Sequence, residues 1–167
     1  SSAGGWGGTI YSEDTTLTID GSTFGTSQTT GGNTDGGHIE AWSGDWTRDN
    51  VTITNSDFSN GTAVQEGGSL ALYWANVTIS GGSFTNNDSG DDGGAIHMQW
   101  IQTGSVSNVT FTSNESGNDG GGINAKECDS GTSTLDFDGN TFINNSAVDN
   151  GGGLRVEDSD SASIMNN

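Results

Sequence analysis

The amino-acid sequence predicts an all-β protein, a parallel β-helix (solenoid) of about six coils of 26–31 residues each. Three observations predict it. A Gly-Gly-x-Ile/Leu motif recurs six times, an apolar residue stands five positions before a phenylalanine in five units, and short stretches alternate apolar with polar residues. A repeat of this length with two or three short strands stacks its coils, so that equivalent residues lie above one another.

The Gly-Gly motif opens each coil. It reads GGTI at 7, GGHI at 36, GGSL at 67, GGAI at 93, GGGI at 120 and GGGL at 151. Glycine permits a corner backbone that a Cβ atom would obstruct, and the alternation after it predicts a strand. One inward column is therefore expected from Ile10, Ile39, Leu70, Ile96, Ile123 and Leu154.

The second half of each coil carries the phenylalanine. The constant pairs are Ile19/Phe24, Ile53/Phe58, Ile79/Phe84, Val106/Phe111 and Phe137/Phe142. They predict two further inward columns. The phenylalanines form one of them, and the first positions of the other are Leu17, Val51, Val77 and Leu135. Asparagines follow the phenylalanine at Asn87, Asn114 and Asn145, and their amides are predicted to hydrogen-bond along the stack.

Composition excludes several partners. Only 28% of residues are hydrophobic and the formal net charge is −19, which is typical of disorder, so the regular repeat is what argues for a folded core. Three basic residues against 22 acidic ones exclude nucleic acid and anionic membrane surfaces. No apolar run is long enough for a transmembrane segment, and the single cysteine, Cys128, forms no disulfide within the chain.

These motifs carry a family resemblance. Gly-Gly-Ala-Ile paired with Phe-x-x-Asn is the double signature of the chlamydial polymorphic outer-membrane protein repeats; FTNN, FTSN and FINN match its second half, whereas FGTS and FSNG depart from it. The chain resembles this family over about residues 7–167. The resemblance implies a right-handed β-helix that is extracellular or at the cell surface, as an adhesin or autotransporter passenger. It specifies the fold more than the function.

An acidic residue precedes Gly-Gly in four successive coils. Stacking predicts a column of like charges at one strand spacing, which cations, backbone N–H groups or salt must compensate. Calcium suits such oxygen ligands, whereas solvated acidic turns adapted to halophilic surroundings are the alternative without a bound ion. The candidate metal-binding residues are Asp35, Glu66, Asp92 and Asp119.

Aromatic residues cluster after the Gly-Gly motif. Outward positions are predicted to form one column of Trp42, Tyr73, Gln99 and Lys126 and a neighbouring column of Glu40, His97, Asn124 and Arg155. Longer insertions at 43–50 and 126–134 flank them, so a shallow aromatic groove for glycan recognition or protein docking is expected; tryptophans packed under their own loops are the alternative. The candidate ligand-binding residues are Trp42, Trp46, Tyr73, Trp74, His97, Gln99 and Trp100.

The favoured function is a non-enzymatic extracellular or cell-surface β-helix used for structure and adhesion. No catalytic residue is predicted, because sequence alone establishes no carboxylate pair at glycosidase separation. One alternative is a β-helix that binds or cleaves cell-surface polysaccharides. Another is an ice-binding solenoid, whose ladder would consist of Thr16/Thr18, Thr52/Thr54, Thr78/Ser80 and Ser105/Ser107.

Residues 1–167 are interpreted as a single β-helix segment. No polar cap is evident at either end, and ASIMNN stops before the expected phenylalanine. We therefore expect either continuation of a longer solenoid or self-association of subunits along the axis into a filament.

Overall fold

The computed structural model describes residues 1–44, 47–128 and 131–167. In this part of the chain the secondary structure consists of 21 strands and no helix, and every strand pair is parallel. The strands form three sheets that run along one axis. The predicted all-β parallel solenoid of about six coils is confirmed.

Sheet B holds the strands that follow the Gly-Gly motif. Its six strands define coils 1 to 6, in spatial order β2 (Ile10–Glu13), β6 (Ile39–Trp42), β9 (Leu70–Tyr73), β12 (Ile96–Gln99), β16 (Ile123–Lys126) and β20 (Leu154–Val156).

Sheet C holds the phenylalanine half of each coil. Its strands are β3 (Leu17–Asp20), β4 (Thr23–Phe24), β7 (Asn50–Ser59), β10 (Asn76–Thr85), β13 (Thr103–Ser107), β14 (Thr110–Thr112), β17 (Thr134–Asp138), β18 (Thr141–Ile143) and β21 (Ala162–Met165). Two of them, β7 and β10, have ten residues and are longer than the short strands predicted, because the ladder continues through the bend between the isoleucine and the phenylalanine of each pair.

Sheet A precedes the Gly-Gly corner and has the shortest strands. They are β1 (Ser2–Ala3), β5 (Ser27–Thr29), β8 (Gly61–Ala63), β11 (Asp88–Ser89), β15 (Glu115–Ser116) and β19 (Ser146–Ala147).

The register stacks the predicted columns. Ile39 pairs with Leu70, and Leu70 with Ile96, while the phenylalanine rings of successive coils lie 4.6–5.2 Å apart and nearly parallel. The core therefore consists of stacks of like side chains, which is how a chain with few hydrophobic residues forms a continuous buried core.

The Gly-Gly corner depends on both glycines. Gly67 has φ +66°, and a Cβ atom there would lie 2.1 Å from the carbonyl oxygen of Leu70. At Gly68 a Cβ atom would lie 2.2 Å from the carbonyl oxygen of Gly94 in the next coil. The first glycine makes the turn and the second permits close stacking of coils.

An asparagine ladder runs through the bend after the phenylalanines, as predicted. The Asn87 amide donates to Asn114 Oδ1 at 2.9 Å, and the Asn114 amide donates to Asn145 Oδ1 at 2.8 Å. Asn114 is buried and its amide also donates to the carbonyl oxygen of Phe84. These side chains supply hydrogen bonds to backbone groups that the turn leaves unpaired.

The threonine ladder differs from the prediction in coil 1. Thr18 pairs with Thr52, and Asp20 pairs with Thr54, so the expected Thr16/Thr18 pair is wrong by two residues. The error arose because Thr16 continues the alternation although it lies before the strand. Asp20 at one end and Asp136 at the other interrupt the flat threonine surface that ice binding requires.

Candidate ligand-binding groove

The acidic column forms one wall of a groove beside sheet B. The amide of Gly36 donates to the carbonyl oxygen of Glu66 at 2.9 Å, and the amide of Gly67 donates to that of Asp92 at 2.9 Å. These bonds place the residues before Gly-Gly one above another, one coil apart. The carboxylates lean over the outward face of sheet B, where they contact its side chains.

The outward positions of sheet B have the predicted register but are covered. Glu40, His97 and Asn124 point away from the core, yet each is at most 1% exposed. The prediction of a solvent-facing column was wrong in this respect, because side chains from the Gly-Gly corner lie over the strands. His97 Nε2, for instance, lies 3.2 Å from Glu66 Oε2.

Lys126 compensates the middle of the acidic column. Its ammonium nitrogen lies 3.1 Å from Glu66 Oε1 and 2.7 Å from Asp92 Oδ2. Burial works against all three charges, but the attraction between Lys126 and Asp92 prevails: the pKa of Lys126 rises to about 12 and the pKa of Asp92 falls below its ordinary range. The pKa of Glu66 also falls, through its contacts with His97, the Tyr73 hydroxyl and Lys126 together. Burial also lowers the pKa of His97, so Lys126 is the charged partner of Glu66 at neutral pH.

Arg155 has the same role one step further along the column. Its Nε lies 3.4 Å from Asp119 Oδ2, and Asp119 also accepts hydrogen bonds from the backbone and side-chain amides of Asn150 at 2.9 Å. Compensation of the predicted charge column thus comes from basic side chains and amides of later coils.

One group of metal-type ligands exists among the described residues. Glu66, Asp92 and His97 each offer an atom within 4.8 Å of the others. The Lys126 ammonium lies against both carboxylates of this group. A calcium ion and this ammonium would compete for the same oxygen atoms, so calcium binding at the column remains a prediction that depends on displacing Lys126.

Tyr73 links the column to sheet B. Its hydroxyl lies 2.6 Å from Glu66 Oε2 and 3.0 Å from Asp35 Oδ2. A hydroxyl carries one proton, which belongs in the shorter bond to Glu66. Burial raises the pKa of Asp35, which also accepts a hydrogen bond from the backbone amide of Glu66 at 3.1 Å.

A cavity of about 220 Å³ opens between the column and the strands of coils 1 to 4. Four aromatic side chains, three carboxylates and one amide line it: Trp6, Asp35, Glu40, Trp42, Glu66, Tyr73, Gln99 and Trp100. Trp6 is 51% exposed and Trp42 is 41% exposed. The rings of Trp42 and Trp100 each lie 6.3 Å from the ring of Tyr73, which they flank.

Two tryptophans near the cavity have an unusual backbone. Trp74 has φ 54° and Trp100 has φ 57°, a left-handed conformation that bulky residues rarely adopt. Their rings stack at 4.9 Å, the Arg48 guanidinium lies 5.5 Å from the Trp74 ring, and Arg48 Nη1 donates to the carbonyl oxygen of Trp100 at 2.7 Å. Asp14 and Glu127 have the same conformation at the equivalent positions of coils 1 and 5, so it belongs to the repeated corner, and at Trp100 it orients a ring that lines the cavity.

Glu40 is the least satisfied group of the cavity wall. It is 1% exposed, and its Oε2 atom has no hydrogen-bond partner in the described part of the chain. Burial, and then the nearby carboxylates of Asp35, Glu13 and Glu66, raise its pKa to about 8.

The structure brings most of the predicted site residues together. Trp42, Tyr73, Gln99 and Trp100 line the cavity, and Asp35 and Glu66 join them from the acidic column. His97 lies beneath Glu66, and the Trp74 ring stacks on the ring of Trp100 in the next coil. Trp46 lies outside the described residues, and Asp92 and Asp119 lie further along the column.

Sequence reasoning missed Trp6 and the role of Glu40. Trp6 stands immediately before Gly7, the same position that Asp35 and Glu66 occupy before their Gly-Gly pairs, so the register offered a signal for it. Glu40 was placed in an outward column, but nothing in the sequence signals that it is covered.

Comparison with known families supports the repeat assignment. Residues 76–99 and 108–126 match the sequence model of the Chlamydia polymorphic membrane protein repeat. No curated protein and no solved structure matches the chain. The repeats are therefore similar to those of chlamydial polymorphic membrane proteins. Among the described residues no helix is long and apolar enough to cross a membrane.

Proposed function

We propose that the chain is a non-enzymatic structural and adhesive module of an extracellular or cell-surface protein, and that it holds a glycan in the aromatic groove. The observation that carries the proposal is the cavity lined by Trp6, Trp42, Tyr73 and Trp100 on one face of a continuous solenoid. Exposed aromatic rings are costly in water unless they contact a partner, and sugar rings stack on such surfaces.

The rigid support of the groove agrees with an adhesive role. The cavity side chains come from the ends and corners of neighbouring coils, whose strands pair over their whole length. A preorganised site loses little conformational entropy on binding, which favours capture of a ligand by surface contact alone. The similarity to a surface-protein repeat adds support from an independent source.

A panel of immobilised polysaccharides tests the proposal. We expect the purified chain to be retained on at least one glycan, and Trp42→Ala and Trp6→Ala to weaken retention about tenfold each, because each loses a stacked ring. Val148→Ala, which changes an exposed apolar residue in a distant coil, serves as the matched control. Absence of retention on every glycan, or retention unchanged in both tryptophan variants, would overturn the proposal.

A second candidate function is glycan cleavage. The observation that favours it is the divergence of two carboxyl groups in one cavity: the pKa of Glu40 is raised to about 8, whereas that of Glu66 is lowered. A protonated acid beside an ionised carboxylate is the pairing that glycoside hydrolysis uses. Reading the same panel for new reducing or unsaturated ends separates the two functions, since an adhesive module releases none.

A further inference from the structure

The carboxyl groups in the first coils of the groove have no basic partner among the described residues. No ion pair joins Asp35 or Glu40 to a basic side chain in the described part of the chain. Buried carboxylates are normally paired or hydrogen-bonded, and Glu40 Oε2 is neither. The cavity is therefore short of positive charge at one defined place.

The solenoid itself shows what fits such a place. In coils 3 and 4 the Lys126 ammonium lies against Glu66 and Asp92, and in coil 5 the Arg155 guanidinium lies against Asp119. Each basic group belongs to sheet B and reaches back to the acidic column. Coil 2 has the corresponding carboxylate, Asp35, but its partners are the Tyr73 hydroxyl and the Glu66 amide rather than a basic group, and the cavity opens beside it.

The aromatic rings that line the cavity suit a cation. Trp6, Trp42, Tyr73 and Trp100 line the same cavity as Asp35 and Glu40. An ammonium group is attracted to the faces of aromatic rings, and the attraction strengthens when the site is partly desolvated. The net charge of −19 further favours a cationic ligand over an anionic one.

We propose that the cavity binds an organic ammonium group, with its charge beside Asp35 and Glu40 and its carbon substituents against the tryptophan and tyrosine rings. The inference rests on the proposed groove function and adds its ligand class, an amine-bearing group such as an amino sugar or a quaternary ammonium. The ammonium completes the row of positive charges that Lys126 and Arg155 begin.

Binding of the cation is linked to a proton on Glu40. The groups that face Glu40 are acidic or neutral: Glu13 from coil 1, Asp35 from its own corner, Glu66 from coil 3 and Tyr11 directly beside it. The pKa of Tyr11 is raised to about 12, so its hydroxyl stays neutral. A permanent cation prefers ionised Glu40, so its affinity must rise as the pH passes upward through about 8.

The test uses tetramethylammonium and its neutral isostere tert-butanol as probes. Indole N–H signals of the isotope-labelled chain follow binding at each tryptophan. At pH 9 we expect tetramethylammonium to bind at least tenfold more tightly than tert-butanol, and to bind more weakly at pH 6. Glu40→Gln should weaken it about tenfold at pH 9 and remove the pH dependence, whereas Asp136→Asn, an exposed carboxylate in sheet C, should leave both unchanged.

Two further arms identify the source of the amine. Glucosamine binding more tightly than N-acetylglucosamine at pH 7 would support an amino sugar, and choline binding more tightly than both would support a quaternary ammonium. Equal binding of tetramethylammonium and tert-butanol in the wild-type chain would overturn the inference even if Glu40→Gln failed to fold. Retention on the glycan panel does not depend on this comparison, so the glycan-binding function and the ammonium ligand can be refuted independently.

Discussion

Lys126 shows at the scale of one residue how the acidic solenoid tolerates its charge. The ammonium lies between Glu66, which is 60 residues away in sequence, and Asp92. Removal of the ammonium leaves two covered carboxylates facing each other beside a neutral His97. A buried ion pair contributes little by its presence, but the loss of one partner is costly.

Replacement of Lys126 by glutamine tests this account together with the calcium expectation. We expect Lys126→Gln to lower the free energy of unfolding by about 2 kcal/mol, a value reduced for the partial exposure of the pair. Calcium should then raise the melting temperature of the variant more than that of the parent chain, because the group of Glu66, Asp92 and His97 becomes accessible.

Lys126→Arg is the control, since it keeps the charge. Thermal melts with calcium, with chelator and with high sodium separate coordination from screening. Rescue of Lys126→Gln by sodium alone would favour salt adaptation over a calcium site, and melting unchanged from the parent chain in all three conditions would contradict the role of Lys126.

At the scale of the element, the asparagine ladder stabilises the bend between sheets C and A. Asn114 accepts from the backbone and side-chain amides of Asn87 and donates to the carbonyl oxygen of Phe84 and to Asn145. All of these bonds join neighbouring coils. The ladder therefore connects neighbouring coils to each other and does not act only within individual turns.

We expect Asn114→Ala to lower the free energy of unfolding by about 3 kcal/mol, because a buried backbone N–H and a buried carbonyl lose their partners at once. Glu115→Gln, at the exposed neighbouring position, should change it by less than about 0.5 kcal/mol. Urea denaturation of both variants measures the difference. Equal stability of the two variants would show that the ladder is not a stabilising element.

The ladder and the columns were predictable because they depend on repeat spacing. The Gly-Gly motif and the constant five-residue step to phenylalanine specify which residues stack, and the stacked rings confirm it. The cover over sheet B was not predictable in this way. Alternation indicates that Glu40 and His97 point away from the core, but whether solvent reaches them depends on how far corner side chains such as Glu66 extend.

At the scale of the whole molecule, successive coils along the solenoid axis differ in which side chains lie beside the acidic column. Coils 3 to 5 compensate their acidic column with Lys126 and Arg155, whereas coils 1 and 2 contribute Trp6, Trp42 and carboxyl groups that have no basic partner among the described residues. Residues near the acidic column thus change from aromatic in the first coils to basic in the later ones, and this difference restricts the cavity to one end of the repeated structure. Expectations of filament assembly or continuation along the axis stay predictions.

The central claim is that successive repeats stack in register along one axis, since the groove exists only if they do. Thr18 and Asp136 occupy the same column four coils apart, through pairs with Thr52, Thr78 and Ser105. Four strand spacings of about 4.8 Å place their Cα atoms about 19 Å apart. A disordered chain of the same acidity would separate them by about 60 Å.

The distance between spin labels at Thr18→Cys and Asp136→Cys, in a Cys128→Ser background, measures this directly. Double electron–electron resonance should give one narrow distribution centred between about 15 and 30 Å, the range that label arms add to four strand spacings. A broad distribution centred beyond about 40 Å would contradict the stacked register, and with it the groove and the ligand assigned to it.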